Sequence, residues 1–478
     1  MTLNNLLQGP PVGGTNGVVK TDKVPRIAII GGGMAGTQCA RHLLKTAKSR
    51  VDITIYEARD RLGGRIDATD RFGKPVDMGP NWLHGDSEEN PIRALFEYPG
   101  VRAHNFADDG LVIDPDGVRL PDEDADELES LMWGYVEQAI YYSEQFANQL
   151  SWTWSLYDFV SIMARGRFPD DTRKVERILM YLEVFGFYIG EDVRRQSLRF
   201  SMLERPMPGE TLFVASGYNS VFDIVRREVV GMVDIRYNTP VRSIRTQQER
   251  SIITADGCPK EIFDAAVVAV PLGVLKNQAI TFQPLLPHRI ECAIRSLGYG
   301  RLEKVYIKFP KAFWKYQYVE FLSPSYASRT NPKRWPMTVT SLAHLPEPYS
   351  QPVLLWYLFG ELSVTVLSLA SDEERIEFFR PYFERIPGYK AKYFPTDIVV
   401  SNWLNDEWAG NGSYTNFPIG LIDGFDDLQV LRDGVEHRKL WLAGEHCGSD
   451  LGLATVAGAY QSGTNAAEKV LDSLQLKP

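Results

Sequence analysis

Three glycines, Gly31, Gly33 and Gly36, stand in G-x-G-x-x-G spacing directly after the apolar run RIAII. In that setting each has its own physical task. The first permits a tight turn after a strand, the second lets backbone approach a pyrophosphate, and the third allows close helix–strand packing. The helix that follows, read over residues 37–45, would bring its N-terminal amides and positive dipole end to the phosphates. About twenty residues further on, an acid is needed to hold a ribose hydroxyl. Glu57 fills that place at the end of VDITIYE. Glycine turns are common, so the glycines alone are weak evidence. With strand, helix and spaced acid together, they read strongly as a dinucleotide site. The unit does not separate a nicotinamide from a flavin dinucleotide.

The elements that must position this site are spread along the chain. A chain of 478 residues exceeds what one core usually organises, which predicts two domains. Further strands are expected over residues 51–57, 233–241, 251–255, 265–271 and 439–445, with an alternating strand at KVYIKF and another from Val353. Residues 122–189 are helical in pattern and rich in aromatics, and residues 455–475 read as a final helix. Nucleotide-type segments therefore lie at both ends and in the middle. The expected fold is α/β, α+β overall: a Rossmann-like domain (24–95, 205–300 and 420–478) interleaved with a mixed sheet-plus-helices substrate domain (96–204 and 301–419).

Composition narrows the function classes. Lys plus Arg is 52 against 61 Asp plus Glu, a net charge of −9, which argues against a nucleic-acid binder. No apolar run reaches membrane-spanning length. The four cysteines and seven histidines fall in no metal-like spacing, so free thiols and no metal are expected. Residues 1–23 lack the pattern of a signal peptide and read as a disordered leader, leaving the cytoplasm as the expected location.

The continuation separates the two cofactors. EARDRLGGRI, with Arg65 after paired glycines, resembles the FAD signature of the amine oxidase superfamily. DMGPNWLHG, containing Gly79, Trp82 and His84, is similar to the corresponding stretch of polyamine and spermine oxidases. AVPLGVLK and WLAGEHCGSDLGLATVAGAYQSG extend the resemblance over nearly the whole chain. It implies noncovalent FAD, because Ser413 stands where monoamine oxidases carry a flavin-linked cysteine. It also implies that Arg65 faces the phosphates, that Gly79 and Trp82 lie along the cofactor, and that the Val241 backbone meets the adenine. Trp403 would pack along the isoalloxazine, and Glu445 would face the ribityl chain and pyrophosphate. The helix beginning near Thr455 would point at the flavin pyrimidine.

For catalysis, the resemblance places Lys304 at flavin N5 through a water, where a fixed cation favours the oxygen half-reaction. Tyr414 would form one wall of an aromatic cage, and His84 would contact the amine. Thr455 replaces the second cage tyrosine of many members and would open that wall. The implied reaction takes a hydride from the carbon beside an amine nitrogen, with O2 as oxidant and hydrogen peroxide as product. A polyamine is the first candidate substrate, drawn by acids in the helical block such as Glu183. Alternatives are another amine, such as an alkaloid or peptide-like intermediate, or a flavin-binding scaffold without turnover. An amino-acid oxidase would need an arginine for the carboxylate, with Arg295 or Arg301 as candidates. A histone-demethylase-like role is disfavoured because no long inserted coiled-coil segment or N-terminal helical module is visible.

Overall fold

The computed structural model describes residues 24–106 and 110–477, so the expected leader lies outside the described residues. Arg26–Ile30 is the central strand of a five-stranded, all-parallel sheet. Its neighbours are Asp52–Tyr56 and then Asp234–Arg236 on one side, Ala265–Val268 and then Leu440–Leu442 on the other. Ile27, Ala28 and Ile29 are wholly buried because both sheet faces are covered, which is why the run is continuously apolar. The helix Met34–Ala47 covers one face and packs along the C-terminal helix Val456–Ser473. It starts three residues before its apolar periodicity does, since Met34, Ala35 and Gly36 form its first turn.

The strand expected over 233–241 is two strands in different sheets, Asp234–Arg236 and Val241–Gln247. Asn238 at φ 51° turns the chain between them, and Pro240 lacks the amide a continuing ladder would need.

The second sheet has six strands, in the order Asp397–Val400, Glu303–Lys308, Val353–Leu358, Met337–Ser341, Tyr318–Phe321 and Gly110–Ile113. All neighbours are antiparallel except the last pair. One face carries Val305, Phe321, Val339 and Trp356 into a core with Phe379 and Phe383. The Glu303–Lys308 strand does not alternate between core and solvent. Glu303 through Ile307 are all buried, because the opposite face is covered as well.

The helical block resolves into Asp122–Phe146, Leu156–Arg167, Thr172–Val184 and the short Gly186–Ile189. Asp122–Phe146 begins with three acids that complement its dipole and buries Leu128, Leu131, Met132, Tyr135, Val136 and Ala139 on one stripe. Ser155 and Asp158 close a capping box on the next helix.

Two glycine-to-alanine changes separate packing from propensity. A Cβ at Gly36 would lie 1.9 Å from the Gly31 carbonyl oxygen, whereas Gly134, inside Asp122–Phe146, has nothing within 4 Å. Gly36→Ala should cost about 1–3 kcal/mol by forcing helix from strand. Gly134→Ala should gain about 0.5–1 kcal/mol of helix propensity. Thermal unfolding should therefore move in opposite directions for the two variants.

Candidate active site

A cavity of about 730 Å³ runs from the carboxyl ends of the parallel strands to one face of the six-stranded sheet. Of the cofactor-binding and catalytic residues singled out in the sequence, every one but Gly36 lines it. Gly36 instead lets helix and strand close behind the cavity.

At the dinucleotide end, Gly31 turns at φ 104°, and a Cβ there would lie 2.7 Å from the Ala269 carbonyl oxygen. Gly33 caps the following helix without a side chain. Glu57 leaves its strand with Oε2 accepting from the Gly32 amide at 2.7 Å and Oε1 from the Arg59 amide at 2.8 Å. Burial raises its pKa, and those two amides work against the shift. Val241 pairs with Ala255 while Ser243 pairs with Thr254, so Arg242 is a bulge residue that bends the strand at the cavity wall.

In the middle, Arg65 donates to Glu445 Oε1 at 3.1 Å, to the Ser413 carbonyl at 2.5 Å and to the Tyr299 hydroxyl at 3.3 Å. The Thr415 hydroxyl donates to the same Glu445 oxygen at 3.1 Å. Arg65 and Glu445 are thus paired with each other on the wall. Gly79 packs so closely on this segment that a Cβ would lie 1.8 Å from the Arg65 carbonyl oxygen.

At the far end, Lys304 is 4% exposed, and its Nζ donates to the Gly79 carbonyl and Asn81 Oδ1. Burial lowers the Lys304 pKa and raises that of nearby Asp77, and each charge offsets the other's shift. Trp403 is secured through the neighbouring Glu303. That buried carboxylate accepts from the Ser401 hydroxyl and, at 2.8 Å, from the Leu404 amide, while the Trp403 indole donates to the Met78 carbonyl at 3.0 Å. The Trp82 indole donates to the Tyr357 hydroxyl at 2.8 Å. Tyr414 is fixed by its hydroxyl, which lies 3.2 Å and 3.0 Å from the carbonyls of Phe187 and Tyr188.

Thr455 caps the last helix. Its Oγ1 accepts from the Gly458 amide at 3.1 Å and donates to the Gly452 carbonyl at 2.6 Å. Its hydroxyl is therefore consumed by local structure. His84 lines the cavity with no charged partner among the described residues, and burial lowers its pKa to about 4.

Sequence reasoning missed several lining residues. Phe187, Tyr188 and Tyr357 bring three further aromatic rings to the cavity. Beyond Glu57 and Glu445, the lining acids are Glu129, Glu137, Glu204 and Glu320. Burial raises Glu204 to about 8 and Glu320 to about 7. Glu183 is not among them, because it is held by Arg194 at 2.5 Å away from the cavity. Arg301 is committed to Glu191 at 2.8 Å, Arg295 is largely exposed, and neither lines the cavity. The glutamates lie on a helix, on a strand and in the turn after Phe200, where no contiguous motif marks them.

The donor set suits an elongated, doubly anionic dinucleotide. Two helix N-termini open on the cavity, the glycine turns leave backbone uncovered, and Trp403 offers an apolar flank. Gly31, Gly33, Glu57, Val241, Arg65 and Glu445 would hold the adenosine and phosphate portion. Lys304, Trp403 and the Thr455 helix would surround the ring.

Parallel-sheet dinucleotide site and aromatic, acid-lined chamber in one cavity define an FAD-dependent amine oxidase. The model of the family described as flavin containing amine oxidoreductase matches residues 34–471, and the chain belongs to that family. Polyamine oxidase 3 of Oryza sativa subsp. japonica is 29% identical over 465 residues, covering 95% of this chain and 90% of that protein. Polyamine oxidase 1 of Zea mays is 26% identical over 489 residues, covering 95% and 91%. Among solved structures, an engineered single mutant of putrescine oxidase aligns with a TM-score of 0.73 at 20% identity, covering 94% of this chain and 99% of that one.

Ser413 lines the cavity and accepts the Leu302 amide at 3.0 Å, and a hydroxyl there cannot form a thioether. Acid precipitation of the purified yellow protein should release all of its FAD to the supernatant. Colour retained on washed polypeptide would contradict noncovalent binding.

Proposed function

We propose that this enzyme oxidises polyamines at the carbon beside an amine nitrogen, with dioxygen as electron acceptor and hydrogen peroxide as product. The observation that carries the reading is the set of four glutamates, Glu129, Glu137, Glu204 and Glu320, that line the same cavity as Lys304 and the aromatic rings in addition to Glu57 and Glu445. Carboxylates at depth favour a substrate with several positive charges, and aromatic faces attract ammonium groups by about 0.5–2 kcal/mol each. The similarity to proteins named polyamine oxidases over more than nine-tenths of the chain supports the same reading.

FAD, when bound, supplies the hydride acceptor that no side chain provides. The chain's own groups must bind and orient the amine, keep it neutral at the reacting nitrogen, and exclude water. Tyr414 and Tyr357, both anchored through their hydroxyls, give rigid walls at the Lys304 end. His84, with its pKa near 4, is a neutral imidazole at neutral pH. A neutral imidazole carries one donor and one acceptor nitrogen, and either can meet an amine. Lys304 has two of its three N–H directions fixed on Gly79 and Asn81, leaving the third for a water. Its charge would stabilise negative charge as oxygen is reduced.

The sign of the pH dependence follows. His84 loses its proton near pH 4, so it makes no ascending limb in kcat/KM between pH 6 and 10. That limb should instead follow the substrate's own amine together with the cavity carboxyls Glu320 and Glu204, which burial raises to about 7 and about 8. His84→Asn should lower the plateau about tenfold, the worth of one hydrogen bond, and leave the limb in place. A limb that moves with the substitution would assign the titration to His84.

Lys304→Met should slow the reaction of reduced holoenzyme with oxygen roughly a hundredfold, with FAD content unchanged. Stopped-flow mixing measures this directly, and an unchanged rate would remove Lys304 from the oxygen step.

The substrate reading is tested by peroxide release from spermine, N-acetylspermine, spermidine and benzylamine at low and high salt. Polyamines should be preferred, with KM rising with salt as steering charges are screened. Activity confined to a bulky monoamine, without salt dependence, would reject polyamines and leave the amine oxidase assignment standing.

A further inference from the structure

The face of the six-stranded sheet that floors the cavity carries one straight row of side chains. Lys304 pairs with Tyr357, Tyr357 with Thr338, and Thr338 with Glu320, each directly across from the next. Directly opposed residues project to the same side of a sheet, and all four line the cavity. Their chain neighbours Val305, Trp356, Val339 and Phe321 enter the core on the other side.

The row has an anchored end and an unsatisfied end. Lys304 and Tyr357 have their polar atoms engaged with the 79–82 segment. Glu320 and Thr338 are each 8% exposed, and among the described residues Glu320 Oε2 and Thr338 Oγ1 have no hydrogen-bond partner. The Tyr181 hydroxyl faces the Glu320 carboxyl and favours its charged form. Among the described residues no lysine or arginine forms an ion pair with Glu320, and its charged neighbour, Glu129, is another acid. A buried carboxylate oxygen without a partner is costly, and here the adjacent strand offers a second unpartnered oxygen beside it. An ammonium group supplies what both atoms lack, with three donors and a positive charge.

We propose that Glu320 and Thr338 bind a second ammonium group of the substrate, so that the sheet measures the spacing between that group and the reacting amine. The inference rests on the amine oxidase reading for which end of the row is reactive. Strands lie about 4.8 Å apart, so Glu320 is roughly 10 Å from the Tyr357 column and roughly 14 Å from Lys304. An extended chain advances about 1.2 Å per bond, which places the two nitrogens on the order of eight to twelve bonds apart. A four-carbon diamine spans about half of that distance. The substrate class is therefore a long linear diamine, triamine or tetramine, with the short diamine and the monoamine as poor ligands.

Binding can be read without turnover. Octylamine, putrescine, diaminooctane and diaminodecane would be titrated calorimetrically into reduced holoenzyme under argon, using wild type, Glu320→Gln and Thr338→Val. In the Gln variant the side-chain oxygen can still accept from Tyr181, and thermal melts with FAD content establish folding for both. The two long diamines should bind wild type at least tenfold more tightly than octylamine or putrescine, as expected for a charged hydrogen bond in a dry site. Glu320→Gln should erase the difference between diaminooctane and octylamine, and Thr338→Val should remove part of it. Equal binding of diaminooctane and octylamine to wild type, or a preference that survives Glu320→Gln, overturns the proposal. Anaerobic bleaching of oxidised holoenzyme by the same amines separates the two readings. Length-selective binding without bleaching keeps the subsite and rejects turnover of these amines. Bleaching by any amine alongside length-blind binding does the reverse.

Discussion

A lysine ammonium on a buried strand must find partners, and the packing of the two sheet systems follows from how Lys304 finds them. Moving such a charge out of water is expensive unless hydrogen bonds and an opposite charge replace the lost hydration. The Gly79 carbonyl, Asn81 and the nearby Asp77 do so, all from one short segment that belongs to the N-terminal half of the chain. That segment is pinned in turn. Asp77 accepts from the Tyr218 amide at 3.0 Å and 3.1 Å, and the Tyr306 hydroxyl donates to the Asp77 carbonyl. Gly79 then sits where no Cβ fits against Arg65, and the Trp403 indole closes on Met78. One buried cation therefore fixes the wall between the dinucleotide half and the amine half of the cavity.

The two halves solve opposite electrostatic problems. At the dinucleotide end the protein offers amides, helix ends and Arg65, and its acids are neutralised internally. Glu57 is held by two amides, and Glu445 by Arg65 and Thr415. Among the described residues, two acids at the amine end, Glu204 and Glu320, are left under-served. Glu204 has a single amide donor, Gln196 at 3.3 Å, and Glu320 has one oxygen with none. The difference is what a cavity needs if an anion is to lie at one end and a cation at the other.

What was legible in the sequence was what is local along it. Gly31, Gly33, Gly36 and Glu57 act within one strand–helix–strand unit, so their spacing alone carries the geometry. Lys304, Tyr414 and Glu445 were found through motif resemblance, which substitutes for knowing which strand lies beside which. The Tyr357–Thr338–Glu320 row was not legible, because it depends on the register of three antiparallel strands whose separation in sequence obeys no fixed period. Glu183 failed for a related reason. Helical periodicity places it on a face but does not reveal that Arg194 already holds it. The false strand over 233–241 shows the limit at short range, where one left-handed asparagine and one proline divert the chain between sheets.

Helix Asp122–Phe146 adds a gradient to this arrangement. Glu137 is exposed, Glu129 is half-buried and Glu320 is buried, while Trp133 lies between the first two on the same cavity face. Spacings of four residues, 129 to 133 to 137, keep them on one side of the helix. A multiply charged amine approaching a chain of net charge −9 meets carboxylates of rising depth and falling hydration. A deeper carboxylate acts on a cation through a lower effective dielectric than an exposed one does. The same burial pushes Glu320 up to about 7, so in the absence of a cation its carboxyl holds a proton for much of the time at neutral pH. An arriving ammonium would release that proton and restore the charge. The stability lost by burying an unpaired acid is then recovered only when a ligand of the right length is in place, which makes the cost itself a source of selectivity.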